Sequence, residues 1–113
     1  MNRPMQDAIQ VMTTTDTQDA AQALAWLLVQ SRLAACVQVI GPITSTYWWE
    51  DSVEEAQEWL CLAKTRAERF AEVELCIREH HSYDVPEIIA LPVSDISAPY
   101  LRWLQETVPD AGT

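Results

Sequence analysis

Apolar residues change their spacing along the chain, and each change marks an element. Residues 7–14 (DAIQVMTT) are rich in β-formers and end in threonines, which predicts a strand. Residues 17–32 are mostly good helix formers, with Ala20, Leu24, Leu27, Leu28 and Ser31 on one stripe and Asp16 or Thr15 placed to cap the first turn. Trp26 falls off that stripe, so it faces solvent or another subunit. Residues 33–40 (LAACVQVI) predict a second strand, apolar on both sides. Gly41-Pro42 interrupts it with a bulge or bend, because proline removes a ladder donor, and the strand resumes over 43–49 (ITSTYWW). Residues 50–55 form an acidic turn, and 57–64 (QEWLCLAK) return as the third strand. The hairpin is much longer than usual strands of about 5–6 residues. Its distal half must find partners elsewhere, and its aromatic residues argue for burial against another chain.

Beyond the hairpin, Thr65 and Glu68 fit a capping box for a helix ending near Glu79, with Phe70, Val73 and Ile77 inward. Val85 and Pro86 stop any continuation, and residues 87–93 predict a fourth strand. Ser97 caps a last helix over 98–108, with Leu101, Leu104 and Val108 on one face and Pro109 as its stop. The order β-α-β-β-α-β plus a tail helix is that of a split βαβ arrangement. Right-handed crossovers place both helices on one face of the sheet. The opposite face is too apolar to meet water, and self-association is the economical cover.

Charge and length narrow the reading. The 113 residues suit one domain spanning 1–113, with 1–6 and 109–113 as flexible ends. Seventeen acidic against seven basic residues give a formal charge of −10, which disfavours nucleic acid and anionic membrane as partners. Cys36, Cys61 and Cys76 lie in apolar runs without zinc-type spacing and read as reduced thiols. Residues 1–6 carry Arg3 but no apolar run follows, and no stretch reaches the length of a membrane span. A cytoplasmic location is expected.

Four constellations carry candidate chemistry. His80 and His81, with Tyr83, Asp84 and Glu87 close by, suit Cu, Zn or Ni. Adjacent residues in extended chain point to opposite sides, so one ion does not take both imidazoles from one protomer. The competing reading has one histidine capping helix carbonyls and the other hydrogen-bonded in an interface. Glu50, Asp51, Glu54, Glu55 and Glu58 form an acidic cluster that, lacking EF-hand spacing, reads as a solvated tip. Lys64, among apolar neighbours, needs a carboxylate, for which Glu50 and Glu87 stand out. Together with Trp49, Tyr83 and Tyr100 these residues outline a pocket between subunits, for a small anion or effector or simply for an ion pair that sets register. Trp48, Trp49, Trp59 and Trp103 read as interface core rather than a stacking platform, and Cys36 as buried and inert.

Several blocks, in order, resemble the CutA divalent-cation tolerance family: RLAACV (32–37), YWWE (47–50), KTR (64–66), HSYDVPEIIALP (81–92) and YLRWL (100–104). The similarity covers roughly residues 8–108. It implies an α+β, ferredoxin-like βαββαβ sandwich with a long β2–β3 hairpin and a C-terminal helix, assembling as a homotrimer. It also implies an association with copper or other divalent metal ions. The chain departs from the family pattern at Ser82, Asp51-Ser52, Gly41-Pro42 and Met12. Met12 stands where some copper-binding members carry a cysteine, which leaves a thioether as the only soft donor there. The resulting expectation is a non-enzymatic trimer. It binds Cu(II) or another divalent ion weakly through His80, His81 and Asp84, with no organic cofactor. The alternative is a sensor of small effectors, similar in architecture to PII-type signalling proteins, that uses Trp49, Glu50, Lys64, Tyr83, Glu87 and Tyr100.

Overall fold

Cross-strand pairing joins segments far apart in the chain into one four-stranded sheet. The computed structural model describes residues 8–111. The expected flexible N-terminus (1–6), the expected strand start at residue 7 and residues 112–113 lie outside them. The elements are β1 (Ala8–Thr15), α1 (Gln18–Gln30), β2 (Cys36–Trp49), β3 (Ser52–Arg66), α2 (Phe70–Glu79), β4 (Ile89–Pro92) and α3 (Ala98–Thr107). The spatial order is β2-β3-β1-β4, with every neighbouring pair antiparallel. Each helical crossover therefore skips one strand: α1 carries the chain from β1 over β3 to β2, and α2 carries it from β3 over β1 to β4.

Strand alternation decides what each face does. Ile9 and Val11 of β1 and Ala63 of β3 pack with Leu24 and Leu28 of α1 and Val73 and Ile77 of α2, so both helices share one face. Full burial of Leu28 or Ile77 stabilises by about 1.5–3 kcal/mol. On the opposite face α3 covers one end only, seating Leu104 and Val108 against Ala8 and Ala35. The rest of that face presents Met12, Ile40, Leu60, Leu62, Ile89 and Leu91, of which Ile40, Ile89 and Leu91 are 49%, 48% and 45% exposed. Trp26, on α1, is also exposed.

Several boundaries differ from expectation, each for a local reason. The N-cap of α1 is Thr17, whose hydroxyl accepts from the Ala20 N–H at 3.1 Å, while the Thr15 hydroxyl donates to the Thr17 carbonyl at 2.8 Å. Its buried stripe is Ala21, Leu24 and Leu28; Ser31 is exposed and donates to the Leu27 carbonyl at 2.7 Å. Arg32 turns the chain with φ 65°, and the Leu33 and Ala34 amides both return to the Leu28 carbonyl. Residues 33–34 are thus a helix C-terminal motif, the Ala35 amide already donates to the Lys64 carbonyl of β3 at 2.9 Å, and β2 begins at Cys36. Thr65 does not cap a helix: its buried hydroxyl donates to the Leu33 carbonyl at 2.6 Å, and a 3-10 turn over Ala67–Arg69 leads into α2. β4 is shorter than the seven residues expected.

The hairpin runs as one continuous pair across the Gly41-Pro42 bulge, where two residues oppose Trp59 alone. The bulge returns Ile43 to the face that Ile40 occupies, so Glu58, Leu60, Leu62 and Lys64 share one side of β3. The turn is only Glu50-Asp51, closed by the Trp49–Ser52 pair, with φ of 48° and 65°. Two positive φ values identify a type I′ turn, which favours Asn-Gly over Glu-Asp. Asp51→Gly is expected to raise stability by about 0.5–1 kcal/mol, read from the midpoint of denaturant unfolding. A lowered midpoint would mean that the Asp51 side chain holds the turn through contacts of its own.

Three arginines fasten the end of α3. Arg66 donates through Nε to the Val108 carbonyl at 2.7 Å and through Nη2 to the Gln105 carbonyl at 2.8 Å. Arg69 donates to the Pro109 carbonyl at 3.0 Å and Arg32 to the Thr107 carbonyl at 3.2 Å. Pro109 is thereby joined to the turn that opens α2.

Candidate functional site

The chemistry expected at the α2–β4 junction depends on how the chain leaves α2. His80 occupies the C-cap position and its Nδ1 meets the Cys76 carbonyl at 2.9 Å, satisfying one of the carbonyls a helix end leaves free. Its Nε2 carries no hydrogen bond from the described residues, and the ring is exposed. His81 turns the other way. Its Nε2 lies 2.7 Å from the Thr14 carbonyl at the end of β1, and its Nδ1 accepts the Tyr83 N–H at 3.1 Å. A carbonyl can only accept and an amide can only donate, so His81 is the neutral Nε2–H tautomer with both nitrogens committed. A metal ion would have to displace one of those bonds. Ser82 adds a tie to Asp16 at 3.3 Å.

These bonds fold the loop around the end of β1 and aim Tyr83 at the hairpin. The Tyr83 hydroxyl donates to Glu58 Oε2 at 2.8 Å, and its ring lies against His81 with centroids 4.8 Å apart. Burial, then the hydrogen bond to Glu58 and its charge, push the Tyr83 phenol well above its ordinary range, so it stays a donor. Between loop and hairpin runs an open cleft of about 1120 Å³. Its lining includes Tyr47, Trp49, Glu54 and Glu58 from the hairpin and Tyr83, Asp84 and Glu87 from the loop. Four carboxylates and, among the described residues, no Lys or Arg face it, so this lining attracts cations and repels anions.

The expected site residues divide accordingly. Trp49, Tyr83, Glu87 and Asp84 meet at the cleft, while Glu50 sits in the hairpin turn. Lys64 stands six residues from Glu58 on β3, about 20 Å at the rise of a strand. Its ammonium donates to the Gln38 side-chain amide rather than to Glu50 or Glu87 within the protomer. Tyr100, on α3, packs near Trp103 at 5.2 Å between centroids, and burial and the Cys36 thiol raise its pKa. Met12 lies half-buried between Leu62 and Ile89, apolar neighbours that add no second soft donor. Among the described residues no three His, Cys, Asp or Glu side chains converge as metal ligands. The three cysteines are free, and burial pushes the Cys61 thiol up to about 11, which keeps it protonated and unreactive.

Glu58 is the residue whose role sequence reasoning missed. It belongs to the acidic cluster by position, yet it is 8% exposed where Glu50, Asp51, Glu54 and Glu55 are exposed. The available signal was its period-two spacing with Leu60 and Leu62, which sets it on the sheet face rather than at the tip.

Comparison with known proteins agrees with this architecture. Residues 9–107 match the family described as CutA1 divalent ion tolerance protein. The divalent-cation tolerance protein CutA of Thermus thermophilus is 41% identical over 96 residues, covering 85% of this chain and 93% of its own. The chloroplastic protein CutA 1 of rice is 36% identical over 104 residues, 92% of this chain but 59% of that longer protein. The solved structure of the periplasmic divalent cation tolerance protein CutA from Archaeoglobus fulgidus superposes with a TM-score of 0.88 at 37% identity, covering 90% of this chain and 99% of that one. On sequence and fold together, the chain belongs to the CutA1 divalent ion tolerance family.

Proposed function

We propose that this chain serves in tolerance of copper and other divalent cations as a homotrimeric, non-enzymatic binding protein with a ferredoxin-like protomer. The observation that carries this reading is the cleft itself, lined by four carboxylates with no basic residue among the described lining. Carboxylate oxygens suit divalent ions, and His80, though not in the cleft's lining, keeps an exposed Nε2 as an imidazole donor for Cu(II) or Zn(II). With no ligand triad assembled among the described residues, association is weak, and water or a neighbouring protomer completes the coordination. In that role Asp84 and His80 bind, while His81 takes part only by releasing the Thr14 carbonyl or the Tyr83 amide. Support for the trimer comes from the apolar sheet face that α3 leaves open and from Trp48 and Trp49, 74% and 60% exposed. Three free thiols favour a cytoplasmic setting.

Calorimetric titration with Cu(II) and Zn(II) tests the metal assignment. His80→Ala and Asp84→Asn are each expected to weaken Cu(II) binding about tenfold, the equivalent of ~1.4 kcal/mol. His81→Ala is expected to change it little. Superimposable isotherms for all three variants and the parent would remove these residues from the site.

A small-effector role is the second reading, favoured by the size and aromatic lining of the cleft. Its negative lining narrows that role to cationic molecules and works against nucleotides. Sedimentation giving a stable monomer would remove the trimer and any pocket that needs a second subunit.

A further inference from the structure

Trp26 belongs neither to the cleft nor to the open sheet face. α1 turns Ala21, Leu24 and Leu28 into the core, and Trp26, about 200° around the helix axis from Leu24, points away from it with 73% of its surface exposed. An indole carries roughly 150–250 Å² of largely apolar surface, which makes it costly to leave in water. Its neighbours on the outer side of α1 are Gln22, Ala23, Val29 and Gln30, all exposed. From Ala20 to Ser31 the chain carries no charged side chain, in a protein whose formal charge is −10. The outer side of α2 differs: its exposed Leu75 has Glu72, Arg78 and Glu79 as helix neighbours.

Charge decides what can cover the outer side of α1. Nucleic acid and anionic lipid are repelled by the whole molecule, and α1 has no Lys or Arg with which to hold a headgroup. A basic partner meets an uncharged stripe there. Two copies of this acidic chain, in contrast, can approach through such a stripe without setting like charges face to face. The arrangement of the stripe is also self-complementary. Gln22 and Gln30 lie four residues before and after Trp26, about 6 Å of helix axis to either side. Two copies crossing antiparallel about a twofold axis at Trp26 set Gln22 of each opposite Gln30 of the other. A side-chain amide both donates and accepts, so these pairs satisfy themselves. The same crossing lays one indole beside the other and brings Asp19 toward the end of α1 where Arg32 stands.

We propose that the outer side of α1 is a docking face for a second copy of this chain, in an antiparallel twofold contact centred on Trp26. One helix face per copy falls short of the roughly 1,200–2,000 Å² that stable specific interfaces bury, so the contact is weak and depends on concentration. It lies on the helical side of the sheet, away from the face assigned to the trimer, and therefore joins assemblies rather than building one. The inference rests on neither metal binding nor the trimer.

Sedimentation equilibrium of the full-length protein over a series of protomer concentrations, in low and in high sodium chloride, tests it. The parent is expected to gain mass with concentration, and more so in high salt. Screening weakens the repulsion between acidic bodies and leaves an uncharged contact in place. Trp26→Glu is expected to fold as the parent does by circular dichroism, since the side chain it replaces stands in solvent. It should weaken the association about thirtyfold or more, the scale of an interface hot spot. Leu75→Glu, the same charge change on the outer side of α2, is expected to leave the association unchanged. Register is read separately: Gln22→Glu should weaken it about three- to tenfold, and Gln22→Glu combined with Gln30→Lys should regain the parent's affinity or exceed it, because each Glu then faces a Lys. Four results would each overturn the proposal: one mass at every concentration, equal loss in Trp26→Glu and Leu75→Glu, association that weakens as salt rises, or no recovery in the double variant. The smallest mass in the same series reports the trimer independently of all four.

Discussion

Arg66→Ala is expected to lower stability by about 2–4 kcal/mol, at a fixed protomer concentration so that assembly contributes equally to both proteins. The half-buried guanidinium bridges the Val108 and Gln105 carbonyls, both at the end of α3, where a helix leaves its last carbonyls without internal partners. Removing it strands those groups and leaves α3 held by Leu104 and Val108 against Ala8 and Ala35, with weaker help from Arg32 and Arg69. Arg66→Lys is expected to fall between, because one ammonium does not span two carbonyls in a fixed fork. Chemical denaturation gives the magnitude, and hydrogen exchange over 98–108 gives the location. A loss under about 0.5 kcal/mol would show that apolar packing alone seats the helix.

The second large effect is expected at Gly41→Ala, about 1–3 kcal/mol destabilising, because an added methyl would force the Trp59 indole out of its place on an otherwise exposed bulge. Gly41 has no positive φ, so backbone strain is not the reason. A Cβ there would overlap the Trp59 indole, which lies across the bulge from it. The cause is therefore separable. In a double-mutant cycle with Trp59→Leu, most of the Gly41→Ala cost should vanish once the ring is gone. Full additivity would place the cost in the backbone rather than in the contact.

What could be read from the chain depended on how local the deciding interaction was. The helices, the long hairpin, the bulge and the existence of a fourth strand, though not its shortness, follow from period, proline and glycine, all visible within a few residues. The apolar run of residues 33–34 suits a strand, yet the Leu33 and Ala34 amides return to Leu28 in a turn that carries arginine rather than glycine at its left-handed position. Thr65 and Glu68 match a capping box, but a carbonyl 32 residues away takes the hydroxyl. His80 was legible as a helix cap. The pairing of Tyr83 with Glu58 joins a loop to the middle of a strand, and the commitment of both His81 nitrogens depends on β1, so neither could be read from spacing.

The hairpin arm beyond the bulge also constrains how this protein can change over evolutionary time. Among the described residues the two strands past Glu58 pair only with each other, so their length is not set by the helices. Their facing is constrained. Adding one residue to each strand between Glu58 and the turn would rotate everything distal by one pleat, carrying Tyr47, Trp49 and Glu54 away from the cleft. Adding two to each strand would restore them. Arm length in descendants that keep the cleft should therefore vary in four-residue increments, so a cleft-preserving lineage leaves a counting rule in its gap pattern.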